Sequence, residues 1–370
     1  MEDKERYLKK VNIIIWGIGE TFKRNMSLLK KNIKIIAFIE SFPSTDFFLD
    51  KKVISPDEHI NYIYDYIVVF SLYESEIKKK AEEVAIPKEK ILIFSQEEFY
   101  EYSEYFRNPF HKKLEKFNQC NKKIELLCTG ISYHNNGIDT DCLPVPSFNM
   151  ALRAQDLFYD YEFLRYLVDN RKEKLNLKYV IIGLSYYSFE YDFSKSVNNK
   201  EIIRYYPEIK KAHNLMEDEY FGDFVKKEKE RLKKLSWYEF IMDIRKPEYK
   251  ITDEEGKRNA TQDFNKNYPI TVYENKNILN NMILYLKQHN IKIKILIMPT
   301  TKVYAKYCSK QTKEKFYKQL NEIVTNNKDI QIIDCFDSYE CDNEDYYHVT
   351  HFNNEGAHRF TEYLSEIIEW

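Results

Sequence analysis

None of the six cysteines, Cys120, Cys128, Cys142, Cys308, Cys335 and Cys341, forms a C-x-x-C pair. This argues against a zinc ribbon or a thioredoxin-like redox site. Several thiols sit in apolar runs, where they pack as small hydrophobes. Charge of one sign is also missing, because acids and bases leave a formal net charge of only -2. An extended nucleic-acid surface therefore has no support. Long apolar runs are absent too. NIIIW, YIVVF and IKILIM stop far below the ~20 residues a membrane helix needs. The opening MEDKERYLKK has no apolar core behind it of signal-peptide form. No membrane span and a cytoplasmic location are the expectations. No internal repeat or low-complexity tract stands out, and no aspartate cluster of the kind that holds magnesium for phosphoryl transfer is visible.

What is present is a globular composition, with 43% hydrophobic and 31% charged residues. A chain of 370 residues suits two domains. Segments 11–16, 34–41, 64–71 and 90–94 read as buried strands, with helices at 20–31 and 75–84 between them. Strands alternating with helices imply a parallel sheet covered on both faces. This first unit closes near residue 100, and 101–122 reads as a connecting helix. A second alternation follows, with strands at 123–130, 178–185, 291–300 and 329–336. Helices at 152–170, 277–289 and 313–326 separate them. The excursion at about 190–275 is too long for a bare loop and reads as an inserted helical lid, with a helix at 225–241. The fold expected is α/β. It joins an N-terminal Rossmann-like parallel sheet (1–100) to a C-terminal three-layer αβα domain (123–370) with a helical insert.

In the first unit a strand ends at Gly17-Ile18-Gly19 before a helix. Bare backbone amides at a helix start suit a phosphate. Glu40, at the end of the second strand, stands where a ribose-binding acid would sit. Phe22 occupies the place of the fingerprint's third glycine, so a turn that binds nothing is the plainer alternative. The stretches IIIWGIGE, IAFIES, KKVISPDE and DYIVVFSLYESEIKKKAEEVAIPKEKILIF resemble the small Rossmann-like domain of bacterial glycan-modifying proteins. That resemblance implies a setting in surface-polysaccharide or sugar-nucleotide chemistry. A nucleotide or nucleotide-sugar is the ligand it suggests for Gly17, Gly19 and Glu40.

In the second unit KIELLCTG ends at Gly130, and Ser132 follows at the carboxyl end of the strand. Ligands of open α/β sheets bind along that edge. A serine needs a base within hydrogen-bond reach to act as a nucleophile. The candidate base is His351, in the turn HFNNEGA after the last strand, which returns to the same edge. Ser132 alternatively only caps the following helix. His348 and His351, three residues apart, would suit a metal, but no third ligand is evident and no metal site is expected. His134 reads as a pocket-lining or surface residue, and Asp156 and Asp192 as helix-surface or loop acids. The YYS and YYP runs suit either stacking on sugar rings or buried packing.

Gly130-Ile131-Ser132 and His351-Phe352-Asn353-Asn354-Glu355-Gly356-Ala357 resemble the Gly-Asp-Ser and His-x-Asn-x-x-Gly-Ala segments of the SGNH/GDSL-type hydrolases. The likeness is nearest to the branch of DltD-like and alginate O-acetylation proteins, with Ser147-Phe148-Asn149-Met150-Ala151 and ILIMPTTKVYAKY also matching. The resemblance implies ester chemistry without a cofactor. Ser132 would be the nucleophile and His351 the base, with Asn149 and the Ser132 amide as oxyanion donors. The family's acid lies three residues before the histidine, where this chain has His348. Asp345, six residues before, is the nearest carboxylate; whether Asp345 or His348 supports His351 stays open, and a Ser–His dyad oriented by a backbone carbonyl is the alternative. The aspartate of Gly-Asp-Ser is Ile131, and the family's Gly-x-Asn-Asp block is replaced by GLSYYS. The expected function is a serine esterase or O-acyltransferase acting on a surface glycan or glycan precursor, and the expected partner is a glycan or an acylated small molecule. The rival is a catalytically weakened scaffold, or nucleotide-sugar-binding protein, of glycan assembly.

Overall fold

Ile13, Ile14, Ile15 and Trp16 run apolar without alternation, and all four are buried. A strand reads this way when both its faces are covered. In the computed structural model they form β1 (Val11–Trp16) at the middle of a six-stranded sheet. The structure describes residues 10–107, 110–244, 249–325, 327 and 329–370. The charged segment 1–9 and Asn326 lie outside the described residues. The chain divides into two compact units, Met1–Arg107 with Lys227–Lys246, and Asn108–Lys226 with Pro247–Trp370.

The sheet of the first unit adds β2 (Ile33–Ile39), β3 (Phe47–Phe48), β4 (Lys51–Ile54), β5 (Tyr66–Val69) and β6 (Ile91–Ile93) in the order β3-β4-β2-β1-β5-β6. Every pairing is parallel except β3 with β4. The sequence pattern misses β3 and β4, because two and four residues are too few to show a period. The predicted helix at 20–31 is shorter, Glu20–Asn25, followed by a 3₁₀ turn Met26–Leu28.

The long excursion does not stay together. Its stretch Lys227–Lys246 belongs to the first unit. The helix predicted at 225–241 is two helices, Asp218–Lys234 and Trp237–Ile241. Tyr238 is fully buried and packs against Phe94, Phe99 and Tyr102. Its hydroxyl accepts from the Ser95 amide and donates to the Ser95 carbonyl. The apolar face of this short helix is thus satisfied by aromatic residues that follow β6.

The second unit has five parallel strands, β7 (Ile124–Cys128), β8 (Ser147–Asn149), β9 (Leu175–Leu184), β10 (Lys292–Ile297) and β11 (Gln331–Asp334), in the order β11-β10-β9-β7-β8. From β7 the chain moves to one side, to β8, and then crosses back to β9. The carboxyl end of β7 is therefore the switch point where open α/β sheets hold ligands. A small antiparallel hairpin follows, β12 (Tyr346–His348) and β13 (His351–Phe352), and then the last helix, Asn354–Ile367. Phe360 and Leu364 of that helix share one core with Leu126, Cys128, Ile181 and Leu296 of the sheet.

Candidate active site

The turn after β7 begins at Gly130, whose φ of +127° lies in the region that only glycine enters readily. A Cβ there would also meet the ring of His134 at 2.5 Å. The Gly130 amide donates to Asp160 Oδ1 at 2.8 Å, and Gln155 Nε2 donates to the same oxygen at 2.7 Å. Burial pushes the Asp160 carboxyl up to about 8. Asp160 thus takes up the support of the turn that Ile131 cannot give. Sequence reading missed it, because it comes from the helix Leu157–Asn170.

Ser132 is the first residue of the helix Ser132–Gly137, so its amide is one of the groups a helix start leaves without an internal partner. His134 is not at the surface or in the cavity wall, as expected from sequence. It is fully buried, wedged where Gly130 and Gly183 leave room. Its Nε2 lies 3.2 Å from the Leu296 carbonyl, and burial lowers it to about 4.

The hairpin sets the surroundings of His351. β12 and β13 pair His348 directly with His351, and cross-strand partners point to the same face. Their Nδ1 atoms are 3.0 Å apart. The Thr350 hydroxyl lies 3.1 Å from Nδ1 of His351 and 3.2 Å from Nδ1 of His348. On the other side of the ring, His351 Nε2 is 2.8 Å from Ser132 Oγ. Burial first, and Arg258 second, lower His348 to about 4, so its imidazole is neutral. A neutral His348 can accept from an N–H at His351 Nδ1, which leaves Nε2 bare to accept the Ser132 hydroxyl.

The motif after His351 also has a physical reading. Asn353 Oδ1 accepts from the Gly356 amide and caps the last helix. Asn353 N donates to the Asp345 carbonyl at 2.8 Å. A Cβ on Gly356 would stand 2.2 Å from that same carbonyl. The Val349 carbonyl is held by both the amide and the hydroxyl of Thr301. The hairpin tip is therefore fixed from outside.

Two candidates from the sequence lie elsewhere. The Asp345 carboxylate pairs with Arg359 and accepts from the Asp342 amide. It is His348 that meets Nδ1 of His351. Asn149, at the end of β8, donates both amide hydrogens to the carbonyls of His134 and Ile138, at 2.8 and 3.3 Å. Its oxygen accepts from Ala151 N. It fastens the helix that begins at Ser132 and is not among the cavity residues, so its amide is not free to serve an oxyanion.

A cavity of about 350 Å³ opens over Ser132 and His351. Excursion residues 190–198 and 259–268 supply much of its wall, with Tyr187, Tyr191 and Tyr268 beside Asp192, Lys195, Asp263 and Lys266. Asp263 Oδ2 accepts from the hydroxyls of Tyr133 and Tyr304, at 3.0 and 2.9 Å, and burial raises its carboxyl. Tyr133 in turn stands edge-on to the His351 ring at 5.3 Å. Asp156 and Asp192 are not surface acids. Both are buried, and each caps a helical turn. The two tyrosine runs divide, Tyr187 facing the cavity and Tyr205 lying in the core, stacked on Tyr159.

In the first unit Gly17 has φ of +100°, and a Cβ there would meet the Phe70 carbonyl at 2.7 Å. Gly19 is the N-cap of the following helix. Glu40 Oε1 accepts from the Ile18 amide at 2.7 Å. The acid expected at a ribose is therefore bonded to the glycine loop itself. Phe22 is fully buried among Phe38, Phe48 and Phe70.

A family model described as C2185-like, N-terminal, matches residues 9–92. No curated protein matches the chain. Among solved structures, a candidate platelet activating factor from Streptococcus pneumonia is 11% identical, covers 72% of this chain and 94% of its own, and has a TM-score of 0.38. A candidate acylhydrolase from Bacteroides fragilis is 9% identical over 69% and 93%, with a TM-score of 0.35. A GDSL-like lipase from Bacteroides thetaiotaomicron is 10% identical over 72% and 96%, with a TM-score of 0.34. Similarity this distant carries no argument about chemistry, and the functional reading rests on the geometry of the site.

Proposed function

We propose that the chain is a serine esterase or O-acyltransferase working through an acyl-enzyme on Ser132. The observation that carries this reading is the 2.8 Å contact between Ser132 Oγ and His351 Nε2 at the wall of an open cavity. His351 Nε2 takes the hydroxyl proton as Ser132 Oγ bonds to the ester carbonyl. Collapse of the tetrahedral adduct breaks the bond to the alcohol oxygen, which receives the proton from His351. A second hydroxyl, of water or of a sugar, then attacks the acyl-serine by the same route. The Ser132 amide, at the start of its helix, is the oxyanion donor this chain offers. His348 is a positioning residue, holding the His351 ring through Nδ1. A carbohydrate ester is the substrate class we infer, because tyrosines beside charged pairs suit a polyol ring with many hydroxyls.

The test is labelling with a fluorophosphonate probe, together with p-nitrophenyl acetate turnover. Wild type should label once, at Ser132, and Ser132→Ala and His351→Ala should each lose about 1,000-fold in turnover or more. Turnover retained in both variants, or labelling elsewhere, removes the mechanism. Acetylated sugars with and without an acceptor sugar then separate hydrolysis from transfer.

A further inference from the structure

Away from the cavity, three side chains of different chemistry converge. Cys142 Sγ lies 3.0 Å from His358 Nδ1 and 3.5 Å from Asp139 Oδ2, and His358 Nδ1 lies 3.0 Å from the same Asp139 oxygen. Zinc bonds of about 2.0–2.3 Å to N, O and S at tetrahedral angles set neighbouring ligand atoms roughly 3.3–3.5 Å apart. The trio therefore has close to the spacing of one face of such a tetrahedron. The far side of the imidazole, Nε2, faces Glu362 Oε1 at 3.5 Å, one turn further along the helix. A carboxylate in that position turns the ring so that Nδ1 faces the thiol and the Asp139 oxygen, as commonly found around metal-bound histidines. Asp139 is placed before any ion arrives, since its amide donates to Thr361 Oγ1 of the same helix at 2.9 Å.

A nucleophilic reading of the trio fails. Burial first, and Asp139 next, push the Cys142 thiol up to about 11, opposite to what an activated cysteine needs. Among the described residues, the other grouping of this kind, Asp156, Asp192 and His213, already has Lys195 Nζ at 3.2 Å from Asp192 Oδ2, a cation in place.

We propose that Asp139, Cys142 and His358 bind one divalent cation of zinc type, with a fourth corner open to solvent. Binding exchanges the thiol proton, released to water, for a sulfur–metal bond. Asp139 lies two residues beyond the helix that begins at Ser132, and His358 lies in the helix that follows His351. The ion fastens these two chain segments together. On the reading that Ser132 and His351 form the active site, it also stiffens their approach. The sequence pattern hid the site, because its two halves are separated by more than 200 residues and contain no paired cysteines.

Cobalt provides the test, because a thiolate ligand gives a charge-transfer band that carboxylates and imidazoles do not. The untagged, metal-stripped chain carrying Ser132→Ala is titrated with Co²⁺ and then Zn²⁺, so that binding is read without catalysis. One equivalent should produce the band, Zn²⁺ should displace it, and Zn²⁺ should raise the melting temperature. Cys142→Ser should abolish the band, and Glu362→Gln should weaken binding by about 10-fold. Cys142 and His358 are not core residues, so the metal-free variants should melt with the parent chain. His358→Gln repeats the measurement should Cys142→Ser melt lower. Absence of a band in the parent, or its survival in both Cys142→Ser and His358→Gln, overturns the site. Failure of Ser132 labelling in the wild type would leave the metal result standing.

Discussion

At the scale of single residues, the active-site proposal gives the place of an acid to an imidazole. A neutral His348 accepts a hydrogen bond but cannot stabilise the His351 imidazolium as a carboxylate would. His348→Ala should lower kcat about 10-fold to 100-fold, with little change in KM and a shifted pH profile in steady-state kinetics. A wholly structural role would leave that profile in place. Asp160 makes a separate prediction. Its carboxyl is raised to about 8 in the fold, so the folded state holds a proton that the unfolded chain has already lost. The extra stability is present below the ordinary carboxylate range and is lost as pH rises to about 8. Asp160→Asn keeps an acceptor for the Gly130 amide and should flatten that decline in urea midpoints across pH. His134 and His348, each lowered to about 4, act in the opposite sense. They refuse protons that the unfolded chain takes up, and their contribution is lost as pH falls from the ordinary histidine range to about 4.

At the scale of elements, the two-residue turn between β12 and β13 turns a sequence spacing of three into a directly paired His348 and His351, their rings tilted at 54° with centroids 5.0 Å apart. The resemblance noted from sequence located His351 but left Asp345 and His348 both open, because a carboxylate six residues away is as available on paper as an imidazole three away. Hairpin register decides between them, and register depends on pairing, which a short segment does not announce. The junction of hairpin and last helix should be sensitive. Gly356→Ala sets a Cβ against the Asp345 carbonyl and should cost about 1–3 kcal/mol by urea unfolding. Asn353→Ala removes the helix cap and should cost about 1 kcal/mol.

At the scale of the whole molecule, the chain forms two units, each built from two separate stretches of sequence. Continuity of sequence suggested that 190–275 belonged to the second sheet, but a segment follows whichever apolar surface covers its own. Trp237, Tyr238, Ile241 and Met242 are all buried within the first unit. Tyr238→Ala removes a fully buried ring with two hydrogen bonds to Ser95. It should cost about 3 kcal/mol or more, read as a lower midpoint in calorimetry.

The sequence by itself determined the alternation of strands and helices and the mainly parallel sheets, and it named Ser132 and His351 as candidates. Each of these follows from local periodicity, glycine placement or short motifs. Only the tertiary structure decided that Asn149 is bound to backbone carbonyls, that Asp160 supports the turn before Ser132, and that His348 meets His351. Those outcomes depend on which hydrogen-bond partner lies within about 3 Å, and that distance is set by packing between segments far apart in the chain.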